Sequence, residues 1–239
     1  RDVNCHRIVY TYNHKYEDGT ITYGGYADYV RVSSHYAFKI PANIPSDVAA
    51  PLLCAGVTVY TPLKRYAKAG DRVGVVGIGG LGHLAIQFIR AVDAIPIAFS
   101  RSSSKEQEIL ALGAAEFYNL SNPEDAKRAT SSLDVLIITA DANNMPYDTY
   151  MSLVHACGTV VMLGLPNDSV TFSPMSLVPK SRQFVGSCMG SIDDINDMLA
   201  VASKKNVRPI IEKLPMTKVN EGIQRVRDGS VRYRIVLEN

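Results

Sequence analysis

The sequence predicts an α/β fold, a doubly wound parallel sheet, with further extended chain at both ends. Three observations carry that prediction. The stretch Asp71 to Val92 (DRVGVVGIGGLGHLAIQFIRAV) runs from a β-branched apolar segment through three glycines into an amphipathic segment. From there to about residue 204, short apolar runs alternate with helical patterns, the signature of strands joined by crossover helices. Beyond Lys204 the alternation breaks, so the tail is predicted to belong to another domain, and before residue 41 the chain is tyrosine-rich and irregular, then extended.

Residues 1–40 are expected to be irregular and then extended. Tyr23-Gly24-Gly25-Tyr26 reads as a turn, and Tyr26–Val32 and Ala37–Ile40 read as strands. The tyrosines suit an amphipathic surface layer, ring inward and hydroxyl to water. Ser46 is placed as the N-cap of a short helix through Ala50. Pro51–Tyr66 is predicted helical, with Pro62 as a break or kink. Cys54 lies between Leu53 and Ala55, where a cysteine on its own reads as apolar filler.

Val73, Val75 and Val76 form the first buried strand. Leu81, Leu84, Ala85, Phe88, Ile89 and Val92 then recur at helical spacing on one face. Further strands are predicted at Ile95–Phe99, Glu116–Leu120, Leu133–Ile138, Thr159–Leu163 and Gln183–Ser187. Helices are predicted at Lys105–Leu112, Met145–His155 and Asp193–Lys204. The tail reads as an extended segment Pro209–Leu214, a helix near Val219–Arg227 and a last strand Tyr233–Leu237. Val73, Val75, Val76, Phe88, Ile89, Ile97, Leu136, Ile138, Val160 and Met162 are the predicted core.

Composition narrows the function classes. The 239 residues are 46% hydrophobic and 20% charged with net charge +2, ordinary for a globular protein and no basis for a nucleic-acid or membrane-surface role. No apolar run reaches membrane-spanning length. Cys5, Cys54, Cys157 and Cys188 are far apart with no C-x-x-C, which points to a reducing, cytoplasmic setting. The chain opens on Arg1 with neither Met nor a signal-like segment, and reads as the continuation of something longer.

Gly77, Gly79 and Gly82 have the spacing G-x-G-x-x-G between a strand and a helix. In that context glycines make a tight turn, admit a pyrophosphate to the backbone and let helix and strand pack closely. The helix N-terminus offers free N–H groups to the anion. A dinucleotide is therefore expected against Gly77, Ile78, Gly79, Gly80, Leu81 and Gly82. An acidic residue at the end of the second strand would bind a ribose 2′-hydroxyl. Here that position reads Ser100-Arg101-Ser102-Ser103-Ser104-Lys105, with no carboxylate. A guanidinium, an ammonium and several hydroxyls suit a 2′-phosphate, so NADP is expected over NAD. The alternative for the serines is a capping box of Ser103 with Glu106, and both can hold.

Three motifs in order, Pro51-Leu-Leu-Cys-Ala-Gly-Val-Thr58, Gly77-Ile-Gly-Gly-Leu-Gly-His83 and Val231-Arg-Tyr-Arg234, resemble the zinc-dependent medium-chain alcohol dehydrogenases. Within them the chain is most similar to the NADP-dependent cinnamyl-alcohol-dehydrogenase type, from about Cys5 to the C-terminus. The resemblance implies a Rossmann domain at residues 47–206, with remnants of a β-rich GroES-like catalytic domain at 1–46 and 207–239. It implies that Cys54 is a thiolate ligand of a catalytic zinc, and that Cys5 matches the last cysteine of a structural zinc lobe. It implies that Thr58, Thr139, Gly164, Ser187, Cys188 and Met189 contact the cofactor, together with the glycine turn and Ser100, Arg101, Ser102 and Lys105. The implied reaction is reversible hydride transfer between NADP(H) and a primary alcohol/aldehyde pair, with zinc as Lewis acid. A homodimer through the edge formed by the sixth strand is also implied.

The departures from the family pattern are as informative. Its other two catalytic-zinc ligands lie in a Cys motif and a Gly-His-Glu motif, and neither occurs here; the other three structural-zinc cysteines are also missing. A catalytic zinc takes three protein ligands. His6, His14, His35, His83 and His155 do not stand in the family context, and His83 is expected to pack or cap beside the glycine turn. Two other readings stay open: a module that binds NADP(H) without turnover, and a zinc-free quinone or enone reductase in which Cys54 is core filler.

Overall fold

The computed structural model describes residues 5–239. Its centre is a six-stranded parallel sheet, built from β3 (Arg72–Val76), β4 (Ile95–Ser100), β5 (Glu116–Asn119), β6 (Leu133–Ile138), β7 (Val154–Met162) and β8 (Gln183–Gly186). The strand order is β5-β4-β3-β6-β7-β8, so the winding reverses between β3 and β6. Both neighbours of β3 run parallel to it, Val75 lying opposite Ala98 and Ile137. Such a reversal opens a crevice at the carboxyl ends of the strands, where ligands of this architecture bind.

The apolar runs of β3, β4 and β6 are continuous because these central strands are buried on both faces. Val73, Val75, Val135 and Ile137 face the layer of α2 (Val57–Tyr66), α3 (Gly82–Ala91), α4 (Glu106–Ala111) and α8 (Ile192–Lys205). Val76, Leu136, Ile138 and Val160 face α5 (Pro123–Ala129) and α6 (Tyr147–Leu153). Nine of the ten predicted core residues are buried; Met162 is half-buried at the end of its strand. The helices α5 and α7 (Pro174–Leu177) were not anticipated. They are short, and both start on a proline after an Asn or Ser cap that reads as a turn in sequence.

Several predicted boundaries move. The head holds a hairpin of β1 (Tyr12–Lys15) and β2 (Ile21–Tyr23), whereas Tyr26–Val32 and Ala37–Ile40 form no strand. No described segment pairs beside them, and Tyr29 is 93% exposed, so neither a ladder nor a buried face holds them extended. Pro45, not Ser46, is the N-cap of α1 (Ser46–Pro51). Ser103 makes no capping box, because Lys105 occupies the N-cap of α4. His155 lies in β7 rather than in the preceding helix. Pro62 does not break its helix, and α2 runs through it. A mid-helix proline costs ~3 kcal/mol, and burying Val57, Val59 and Leu63 completely, at ~1.5–3 kcal/mol each, outweighs it.

The tail pairs β9 (Ile211–Pro215) with β10 (Arg234–Glu238) in parallel, outside the main sheet, around α9 (Val219–Arg227). It is tied to the rest of the chain at several points. Lys213 pairs with Asp47 at 2.6 Å and Glu238 at 2.9 Å. The Arg208 guanidinium donates to the Asn43 carbonyl at 3.0 Å. The Tyr233 hydroxyl donates to Glu108 of α4.

Candidate cofactor site

The glycine turn leaves β3 at Gly77, whose φ of +91° is left-handed, and a Cβ there would lie 2.8 Å from the Ala140 backbone nitrogen. A Cβ on Gly82 would lie 2.1 Å from the Gly77 carbonyl oxygen, so the first turn of α3 closes on the strand only with glycine. Beside Gly79 the space is open, and an anion can approach the backbone there. Thr139 follows β6 and donates its hydroxyl to the Gly77 carbonyl. Its place is therefore beneath the turn, holding it to the neighbouring strand.

A cavity of about 410 Å³ adjoins this turn. One wall is Val76, Gly77 and Ile78; another is Ser100, Arg101, Ser102 and Lys105 at the end of β4. Ser121 donates to the Arg101 carbonyl at 2.8 Å and pins that loop. Among the described residues neither Arg101 nor Lys105 pairs with a carboxylate, and no Asp or Glu lines the cavity. Both cations remain free for an anionic ligand. The far wall, Asn143, Asn144 and Tyr150 after β6, did not stand out in the sequence. These residues carry no motif, and only strand order brings them opposite β4.

Arg234 is a second addition. Its Nε donates to the Gly80 carbonyl at 3.0 Å, from the start of β10. Burial lowers its pKa, partly offset by the nearby Cys54 sulfur. A guanidinium half-buried against the glycine turn adds positive charge where the pyrophosphate is expected. The sequence singled out the segment but not this contact, which joins residues far apart in the chain.

The other candidates sit along the same carboxyl edge. Gly164 follows β7 and donates to the Ile138 carbonyl at 3.1 Å. Ser187, Cys188 and Met189 follow β8, and Met189 has a φ of +53°. Gly190 presses this loop onto α2, where its Cβ would meet Thr61 and Val57. Thr58 is half-buried on the same helix. Cys54 lies one turn earlier, in a π-helical segment over Leu52–Gly56, and is exposed. Exposure in a π-turn corrects the filler reading; such turns collect at functional sites.

No structure of three or more convergent His, Cys, Asp or Glu side chains exists among the described residues. Cys5 is exposed in a turn with the Arg7 N–H on its sulfur, and it and Cys54 are both free thiols. His155 pairs with Asp134 at 2.7 Å on the amino edge of the sheet, away from the crevice. The residues present thus fit a phosphorylated dinucleotide but do not by themselves complete a zinc shell.

His83 is fully buried. Its Nδ1 lies 3.0 Å from the Gly79 carbonyl, and its Nε2 accepts the Ile210 N–H at 3.2 Å. Burial is the main cause that pushes its pKa down to about 4. It packs beside the turn, as expected.

The family described as zinc-binding dehydrogenase matches residues 80–204. A probable mannitol dehydrogenase of Mesembryanthemum crystallinum is 39% identical over 98% of this chain and 65% of its own length. The structure of a Sorghum bicolor cinnamyl alcohol dehydrogenase superposes with TM-score 0.94 at 35% identity, covering 98% of this chain and 67% of that one. A Helicobacter pylori CAD in complex with NADP(H) superposes with TM-score 0.88 at 29% identity, covering 98% and 68%. The chain therefore spans about 65% of the mannitol dehydrogenase it matches. The glycine turn, the strand order and these likenesses agree, and the chain belongs to the zinc-binding dehydrogenase family.

Proposed function

We propose that the chain is the NADP(H)-binding part of an alcohol dehydrogenase, acting in the whole protein on a primary alcohol/aldehyde pair. The observation that carries this reading is the cavity at the end of β4, with Arg101 and Lys105 in its wall and no carboxylate. When bound, the nicotinamide supplies or accepts the hydride. The chain's own residues bind and orient. The glycine turn and first turn of α3 receive the pyrophosphate through backbone N–H groups, with Arg234 beside them. Arg101, Lys105 and the serines at 100 and 102 receive the 2′-phosphate. In this reading Thr58, Gly164 and Ser187 to Met189 hold the nicotinamide end. Cys54 is offered toward a catalytic metal, but one thiolate is not a site, and no step is derived through zinc.

In this reading residues 47–206 are the cofactor domain, and 1–46 and 207–239 belong to a catalytic unit; β9 and β10 lying outside the main sheet supports that division. A homodimer through β8, the edge strand, belongs to the same proposal.

Arg101→Ala removes a charge-assisted contact worth about 1.5–3 kcal/mol. It should weaken NADPH binding and leave NADH nearly unchanged, read by titration of cofactor fluorescence. Equal affinity of the wild type for NADPH and NADH would defeat the assignment. A second reading, binding without turnover by this chain alone, is favoured by the ligand inventory. Metal analysis after dialysis should find far less than one zinc per chain, and retained stoichiometric zinc would overturn that reading.

A further inference from the structure

The contact between α3 and the start of the tail is unusual in kind. Four residues apart on one face of α3, His83 and Gln87 both bond to backbone. The Gln87 amide donates to the Arg208 carbonyl at 2.9 Å and accepts the Arg208 N–H at 3.0 Å. His83 accepts the Ile210 N–H at Nε2, and its ring stacks on Tyr233 with centroids 4.7 Å apart and planes 13° apart. Tyr233 reaches Glu108, so the stack is anchored to α4 as well.

A neutral imidazole has one N–H and one lone pair. Because Ile210 donates to Nε2, that nitrogen must carry the lone pair. The proton then sits on Nδ1, which donates to the Gly79 carbonyl. That carbonyl also accepts the His83 backbone N–H at 3.1 Å, within the turn that leads into α3. In the other tautomer two lone pairs would face each other across 3.0 Å.

We propose that His83 is a positioning residue for the cofactor: the Ile210 N–H sets its tautomer, and the resulting Nδ1–H fixes the glycine turn that receives the pyrophosphate. The docked tail thereby sets cofactor affinity through one proton. The inference rests on the NADP(H) reading for its functional consequence, while the tautomer and the held turn stand apart from it.

Two amides separate the ends of the imidazole. His83→Asn places an N–H donor near Nδ1 and restores the bond to Gly79 without help from the tail. His83→Gln places an acceptor near Nε2 and keeps Ile210 satisfied, but leaves Gly79 without its donor. NADPH titration of the full chain should show His83→Asn within about threefold of wild type and His83→Gln weaker by about tenfold or more. Ile210→Pro removes the N–H, and fixes φ, at a residue that is 41% exposed. It should weaken binding in the wild-type background and have no further effect in His83→Asn.

Nitrogen NMR of the free chain supplies the arm that needs no cofactor. It should show a pyrrole-type Nδ1 and a pyridine-type Nε2 at His83, with faster amide exchange at residues 79–82 in His83→Gln than in His83→Asn. The opposite tautomer, or equal weakening by both amides, would overturn the proposal. Absence of NADPH binding by wild type with the expected tautomer and exchange pattern would instead strike the cofactor reading alone.

Discussion

His83 must change its proton count when the chain unfolds in mild acid. Its pKa is about 4 when folded against an ordinary 6.5. Between those values the unfolded chain binds the extra proton, so stability falls as pH drops through that window, by up to about 1.4 kcal/mol per pH unit. Above pH 6.5 the contribution is complete. His155 has the opposite sign: the Ala156 carbonyl, then Asp134, hold its pKa above 6.5. Its contribution is full below that value and fades as pH rises through the folded one. Denaturant melts at stepped pH should show His83→Asn flattening the acid limb and His155→Ala flattening the limb above pH 6.5. An unchanged acid limb in His83→Asn would mean that the imidazole is not held neutral. Gly82→Ala belongs at this scale too. Its methyl cannot fit 2.1 Å from the Gly77 carbonyl, so the turn must open, and NADPH binding should be lost.

Among the elements, β6 has the most to lose. It lies between β3 and β7, and Leu136 is fully buried. Leu136→Ala should cost about 2–5 kcal/mol, the transfer of the lost methyl groups plus a residual cavity. A denaturation midpoint no different from that of a surface control would contradict this packing. The central strands of the sheet were legible because burial on both faces leaves an unmistakable run, as in Leu133–Ile138. The helix α9 was legible in place and extent. The hairpin in the head was not, since Tyr12–Lys15 has no apolar alternation and turns through Asn13 at a φ of +48°. Tyr26–Val32 has strand-like alternation but no neighbour to pair with, and pairing, not pattern, makes a strand. The site divides the same way. Gly77 to Gly82 and Arg101 follow from local order along the chain, whereas Tyr150 and Arg234 reach the cavity and the turn only through tertiary contacts.

Across the whole molecule, the head, the sheet and the tail are fastened to one another at Asn43, Asp47 and Glu108. Arg208 is a crossing point. It donates to the Ala202 and Val207 carbonyls at the end of α8, at 2.7 and 2.9 Å, and to Asn43. Such fastening makes one cooperative transition the expectation. Far-ultraviolet dichroism should melt together with near-ultraviolet dichroism, which here reports 13 tyrosines and no tryptophan. Arg208→Ala takes the guanidinium from three carbonyls, of which, among the described residues, Ala202 alone keeps backbone N–H donors, those of Asn206 and Val207. The expected cost is about 1–3 kcal/mol, measured as a lower denaturant midpoint. Two separate transitions in the wild type would show that the tail melts independently.

The seam between α3 and residue 210 is read through the main chain, which every amino acid but one presents alike. Position 210 should therefore be permissive to grafting. In a saturation library there, all side chains except proline should preserve NADPH binding. What such a junction inherits is a direction of the peptide bond rather than an identity, and its tolerance is that of a socket indifferent to the colour of the plug.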